Sequence, residues 1–182
     1  MTEKVICAGF GGQGIMLMGQ LLARAGLNQG RCVSWLPSYG AEVRGGTAYC
    51  QVIISDREIS SPYVQVADSC IIMNEPSLIK FESALKKGGL FVINASLAKS
   101  RPQRGGLNIY RFPFTEAAVK LGNLKVANCV ALGAYIAIKK MFSKDELFKV
   151  ITEFAPKDKR QLVEINKKAI CEGIKQVKKW SA

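Results

Sequence analysis

The stretch VICAGFGGQG, residues 5–14, runs an apolar segment straight into a loop with glycine at positions 9, 11, 12 and 14. Gly9, Gly11 and Gly14 satisfy G-x-G-x-x-G, with a strand pattern before and a helical pattern after. This context constrains the fold strongly. It asks for a strand, a tight turn and a helix whose N-terminal N–H groups and dipole favour an anion. Gly9 permits the turn, Gly11 lets backbone approach a ligand and Gly14 lets helix lie against strand. The residues leave two roles open for the loop: contact with a phosphate, or close packing against a neighbour.

The rest of the chain continues the alternation. Strands are expected at residues 4–8, 32–36, 48–55, 70–73, 90–95 and 107–113. A helix is expected over residues 12–28, and residues 37–46 read as turn-rich. Pro76 opens a further helix in EPSLIKFESALKK, and Gly88 and Gly89 end it. Asn74 and Glu75, in MNEPS, read as a helix start before they read as ligand contacts. Asn128 reads as the N-cap of a helix running through CVALGAYIAIKKMF, and Ser143 with Glu146 forms a capping-box pattern. Pro156 separates that helix from a basic terminal one, whose apolar face carries Leu162, Ile165, Ala169, Ile170, Ile174 and Val177. Strands alternating with helices predict βαβ units. The expected fold is α/β: a Rossmann-like, mostly parallel, doubly wound sheet flanked by helices, with a helical C-terminal portion. At 182 residues, a single domain over 1–182 is expected.

A nicotinamide-binding version of the loop would need an acidic residue near the end of the second strand. That strand ends SWLPSYG, with no carboxylate before Glu42, so NAD or FAD in the usual manner is not expected. The chain has no histidine, the commonest general base, and no catalytic residue is assigned. Six cysteines lie outside ligand spacing of one another, which gives no zinc or cluster motif. They read as buried free thiols in a reducing, cytoplasmic setting. No apolar run is long enough to span a membrane. The net charge is +12, but the lysines concentrate on one face of the terminal helix, as a solvated face would.

A second stretch stands out at residues 37–48, PSYGAEVRGGTA. Tyr39, Glu42 and Arg44 stand among glycines, with Gly45 and Gly46 following, just past a predicted strand, where open α/β sheets place ligands. Arg44 is suited to a phosphate or carboxylate.

Taken in order, GFGGQGIMLMGQLLARAG, SWLPSYGAEVRGGTAYCQVIIS, ADSCIIMNEPS and VANCVALGAY resemble the gamma subunit of 2-oxoacid:ferredoxin oxidoreductases across nearly the whole chain. The second of these is most similar to the 2-oxoglutarate and branched-chain versions. The resemblance implies a multi-subunit enzyme that oxidatively decarboxylates a 2-oxoacid, 2-oxoglutarate in particular, to an acyl-CoA. It implies alpha and beta partners that bind thiamine diphosphate and Mg²⁺, a ferredoxin-like subunit with iron–sulfur clusters, and ferredoxin as acceptor. This chain would bind no cofactor alone, would be inactive alone, and would contact neither nucleic acid nor membrane. Its binding residues would be Gly9, Gly11, Gly12, Gln13, Gly14, Tyr39, Glu42, Arg44, Gly45 and Gly46, facing the thiamine-bearing chains and the path of coenzyme A. The alternative carried beside it is a free-standing nucleotide-binding Rossmann-like protein, motivated by the glycine loop. A nucleic-acid binder, motivated by the charge, is a third.

Overall fold

The structure is a computed structural model, and it describes residues 1–40, 46–155 and 160–180. Among these residues six strands form one sheet: β1 (Thr2–Phe10), β2 (Cys32–Tyr39), β3 (Thr47–Ser55), β4 (Ala67–Ile72), β5 (Leu85–Asn94) and β6 (Asn108–Phe112). Their order is β2-β3-β1-β4-β5-β6. β1, β4, β5 and β6 pair in parallel, whereas β3 runs antiparallel to both β1 and β2. Five strands therefore share one direction, and the reversed one sits between the first two.

Strand alternation divides the core. Val5, Cys7, Val52, Ile54, Ile71 and Val92 face a large cluster built with α1 (Ile15–Asn28), α3 (Phe114–Lys120), α4 (Ala127–Lys139), α5 (Lys144–Phe154) and α6 (Gln161–Trp180). Ile6, Ala8, Ile53, Ile72, Phe91 and Ile93 face a smaller cluster with α2 (Glu75–Phe81). Most of α4 is buried, from Ala127 to Ile136, as its all-round apolar sequence requires. Its outer side meets α6 at two glycines: a Cβ at Gly173 would lie 2.0 Å from the Val130 carbonyl oxygen, and one at Gly133 2.2 Å from that of Ile170. On α6, Ala169, Ile170 and Val177 are buried as the periodicity requires, while Leu162 stays exposed. The capping box at Ser143 and Glu146 is formed in both directions.

Several boundaries differ from the sequence reading. β2 continues past Leu36 to Tyr39 because residues 37–39 pair with β3. The Gly40 N–H bonds the Thr47 carbonyl, so in antiparallel alternation Pro37 points its nitrogen away from β3, the one place an edge strand tolerates proline. The helix opened by Pro76 stops at Phe81; Gly88 and Gly89 fall in β5, where its register with β4 shifts between Ala67 and Ser69. Glu3, 2% exposed, is a buried carboxylate at the opening of β1, paired with Lys139 Nζ at 2.8 Å and accepting from Ser69 Oγ and Tyr135 Oη. A buried charge needs that full set of partners.

A candidate binding edge at the carboxyl ends of the strands

The parallel ladder between β1 and β4 stops at the glycine loop in an informative way. The Met73 N–H donates to the Ala8 carbonyl at 2.8 Å. The next rung of a parallel ladder would run from the Phe10 N–H to the Met73 carbonyl. Instead the Phe10 N–H donates to Gln13 Oε1 at 2.6 Å, and Gln13 Nε2 donates to the Met73 oxygen at 3.4 Å. The Gln13 carboxamide is thus inserted between the two strands as a rung. Gly9 makes its seat: a Cβ there would lie 2.5 Å from Gln13 Oε1 and 2.9 Å from Met73 Cβ.

The loop's glycines divide into two kinds. Gly9 and Gly14 serve packing. Gly14 is the N-cap of α1 with φ 72°, and its carbonyl accepts from Asn128 Nδ2 at 3.1 Å. Gly11 and Gly12 are exposed, and a Cβ on either would meet nothing within 4 Å. Both roles left open by the sequence are therefore compatible with the loop, at different positions.

The second stretch reaches the same place. The Gly11 N–H donates to the Gly46 carbonyl at 3.1 Å, and Tyr39 at the end of β2 is 69% exposed. Insertion of β3 beside β1 is what brings Gly46, just before β3, against the glycine loop. Seven of the ten expected binding residues, Gly9, Gly11, Gly12, Gln13, Gly14, Tyr39 and Gly46, lie along this edge; Glu42, Arg44 and Gly45 lie outside the described residues.

Asn128 does not cap α4. That position is Val126, and Asn128 is a buried residue of the first turn that clamps Gly14. The clamp draws the N-termini of α1 and α4 together. Neither has an acidic residue in its first turn or a side-chain cap, so two positive helix ends meet at Gly14, favouring an anion. Asn74 does cap α2, accepting from the Ser77 N–H at 2.9 Å. Glu75 accepts from the N–H groups of Lys99 and Ser100, which ties the segment after β5 to α2.

One contributor was not anticipated. Asn94, fully buried at the end of β5, donates to the Met73 carbonyl at 3.2 Å and to Thr115 Oγ1 at 2.8 Å. Its signal in the sequence was a lone polar residue closing the apolar run LFVIN.

The cysteines do not join the site. Cys7, Cys50, Cys70 and Cys129 are buried; Cys32, on the edge strand, is exposed, against the expectation of burial. A hydrogen bond with the Cys50 thiol, together with burial, holds Cys7 well above the ordinary thiol range, and burial pushes Cys129 up to about 12. Among the described residues no three of His, Cys, Asp or Glu come together as metal ligands, and no helix is long and apolar enough to cross a membrane.

Residues 4–176 match the pyruvate ferredoxin/flavodoxin oxidoreductase family. The chain is 36% identical over 163 residues to ketoisovalerate oxidoreductase subunit VorA of Methanothermobacter thermautotrophicus, covering 90% of this chain and 34% of that one. It thus spans about a third of the length of that relative. It is 33% identical over 160 residues to 2-oxoglutarate synthase subunit KorC of Methanocaldococcus jannaschii, covering 86% of both. The gamma subunit of a keto/oxoacid ferredoxin oxidoreductase from Geobacter sulfurreducens superposes with a TM-score of 0.83 at 30% identity, over 99% of each chain. A 2-oxoglutarate:ferredoxin oxidoreductase from Magnetococcus marinus, solved with 2-oxoglutarate, coenzyme A and succinyl-CoA bound, shares the fold with a TM-score of 0.88 at 24% identity. That match covers 98% of this chain and 31% of the other.

Proposed function

Because the chain belongs to the pyruvate ferredoxin/flavodoxin oxidoreductase family, we propose that it is the gamma subunit of a multi-subunit 2-oxoacid:ferredoxin oxidoreductase of the 2-oxoglutarate synthase type. The complex converts a 2-oxoacid and coenzyme A to an acyl-CoA and carbon dioxide, and two electrons pass to ferredoxin. Thiamine diphosphate with Mg²⁺, held by alpha and beta partners, supplies the decarboxylation chemistry, and iron–sulfur clusters in a ferredoxin-like partner carry the electrons. This chain has no part in those bonds. It works in the cytoplasm, within the complex, and is inactive alone.

Its own contribution is a binding edge. The observation that carries this reading is the meeting of the two motif stretches through the Gly11–Gly46 hydrogen bond, beside the converged N-termini of α1 and α4. Backbone N–H groups at such helix ends bind phosphate oxygens without a cation, and Arg44, on the same connection, supplies a guanidinium for bidentate pairing. Coenzyme A brings phosphates to this edge, and Gly11 and Gly12 let its backbone approach closely.

Recovery of the chain from its native cell tests the reading. Thiamine- and cluster-bearing chains should come with it, with 2-oxoacid- and coenzyme A-dependent dye reduction fastest on 2-oxoglutarate. Arg44→Ala should raise the apparent KM for coenzyme A; unchanged assembly together with unchanged KM would overturn the placement. A chain recovered alone and stabilised against heat by NAD, FAD or ATP would establish the free-standing nucleotide-binding alternative.

A further inference from the structure

The crevice between the carboxyl ends of β1 and β4 is the switch point of the sheet. From β1 the chain goes to β2 and β3 on one side, and from β3 it crosses to β4 on the other. Open α/β sheets bind ligands in that crevice. Here it holds the Gln13 carboxamide, accepting from Phe10 N and donating to Met73 O.

We propose that Gln13 is a displaceable plug, and that its seat receives a secondary amide of the ligand when the side chain swings out. The hydrogen bonds state what the occupant must offer. When Gln13 leaves, the Met73 carbonyl keeps its bond from Asn94 Nδ2 at 3.2 Å, the shorter of its two side-chain donors. The half-buried Phe10 N–H keeps no acceptor from the protein, and a donor left unpaired there carries a cost. An incoming group must therefore present an acceptor to Phe10. A carboxylate or phosphate would do so but would set negative charge against the Met73 oxygen. An amide offers both an acceptor for the Phe10 N–H and a donor for the Met73 carbonyl, the two functions the glutamine supplies. Gln13 is itself half-buried, and open space lies at Gly11 and Gly12 for its side chain to swing toward. The inference rests on the coenzyme A reading above, which supplies such a ligand: its pantetheine arm carries two secondary amides and extends from the phosphates.

The test uses the native complex with wild-type chain or Gln13→Ala, and two competitors of coenzyme A. S-methyl pantetheine carries the amide arm, and adenosine 3′,5′-bisphosphate carries the head alone. A plug opposes the arm only. Gln13→Ala should lower the inhibition constant of S-methyl pantetheine roughly three- to tenfold, the worth of about one hydrogen bond, and leave that of the bisphosphate within twofold. Weaker inhibition by the arm would make Gln13 a ligand contact, and an equal change for both competitors would make it a scaffold residue; either result overturns the plug. A complex with no coenzyme A dependence would overturn the functional reading instead. The plug is then decided on the full-length chain alone, where S-methyl pantetheine should shift the Gln13 side-chain amide resonances of ¹⁵N-labelled protein. Resonances unmoved at millimolar competitor would sink it.

Discussion

Asn128 donates from Nδ2 to the Gly14 carbonyl at 3.1 Å, and a Cβ at Gly14 would stand 2.3 Å from that same nitrogen. One residue at the start of α4 thus fixes the residue at which α1 begins, 114 positions earlier. Gly14→Ala meets two penalties: a left-handed backbone, worth about 1–2 kcal/mol, and collision with the amide. In an Asn128→Ala background only the backbone penalty should remain, so the two substitutions should be less than additive in urea unfolding. Additivity within about 0.5 kcal/mol would show that the contact does not couple them.

The α4–α6 crossing should be the least forgiving place in the fold. At Gly173 and Gly133 the nearest atoms to an added methyl are backbone carbonyls of the facing helix, which cannot rotate away. Gly173→Ala should cost about 3 kcal/mol by forcing the helices apart, lowering Tm by about 6–12 °C for a chain of this size. Thermal unfolding followed by circular dichroism reads this directly.

Gly11→Ala is the contrasting case. Nothing lies within 4 Å of the new methyl, so stability should stay within about 0.5 kcal/mol of wild type. If the loop faces coenzyme A, the apparent KM for that substrate should nonetheless rise. A variant equal to wild type in both stability and KM would remove Gly11 from the binding edge.

Acid should weaken the start of α5. Hydrogen bonds from Gln29, and from the Ser143 N–H and hydroxyl, hold the Glu146 carboxyl below its usual value of 4.5. A carboxylate with a depressed folded pKa adds stability above its unfolded value and loses it as pH falls through the folded one. The loss should therefore begin near pH 4.5 and be complete at lower pH. Glu146→Gln should flatten the stability profile in that acid window, while Ser143→Ala costs about 1 kcal/mol at neutral pH. Chemical unfolding from pH 7 down to pH 3 distinguishes the two.

Thiol titration checks the burial pattern. In the native chain Cys32 should react quickly with a disulfide reagent and half-buried Cys171 slowly, while Cys7, Cys50, Cys70 and Cys129 stay silent until unfolding. Cys32→Ser should abolish the fast phase. More than two reactive thiols before denaturant is added would contradict the packing of both faces of the sheet.

Local signals in the sequence carried over well where the physics is local. Ser143 and Glu146 are three residues apart, and their reciprocal cap needs nothing else; the strand–loop–helix at Val5–Gly14 is similar. Readings failed where a distant partner decides. Pro37 looks like a strand terminator until β3 fixes which way its nitrogen points, and Gly88–Gly89 looks like a helix end until pairing with β4 claims it for β5. Asn128 has the chemistry of a cap but lies two residues too deep, because Gly14 supplies its partner. Gly133 and Gly173 carry no mark in their own windows, since each is explained by the backbone of a helix distant in sequence, at Ile170 and Val130. In the candidate site, the glycines were visible as a motif, while the Gln13–Met73–Asn94 junction depends on three strand ends meeting.

The reversed strand also sets a distance. Neighbouring strands lie about 4.8 Å apart, so with β3 between them β1 and β2 are separated by about twice that. In the usual dinucleotide arrangement the second strand adjoins the first, and its end reaches the ribose of a ligand whose pyrophosphate rests on the first turn. Here that reach is doubled, and the position beside the glycine loop belongs to a hairpin. The ruler that measures a dinucleotide has been lengthened by one strand, and what lies next to the loop is Gly46, at the entrance to that added strand.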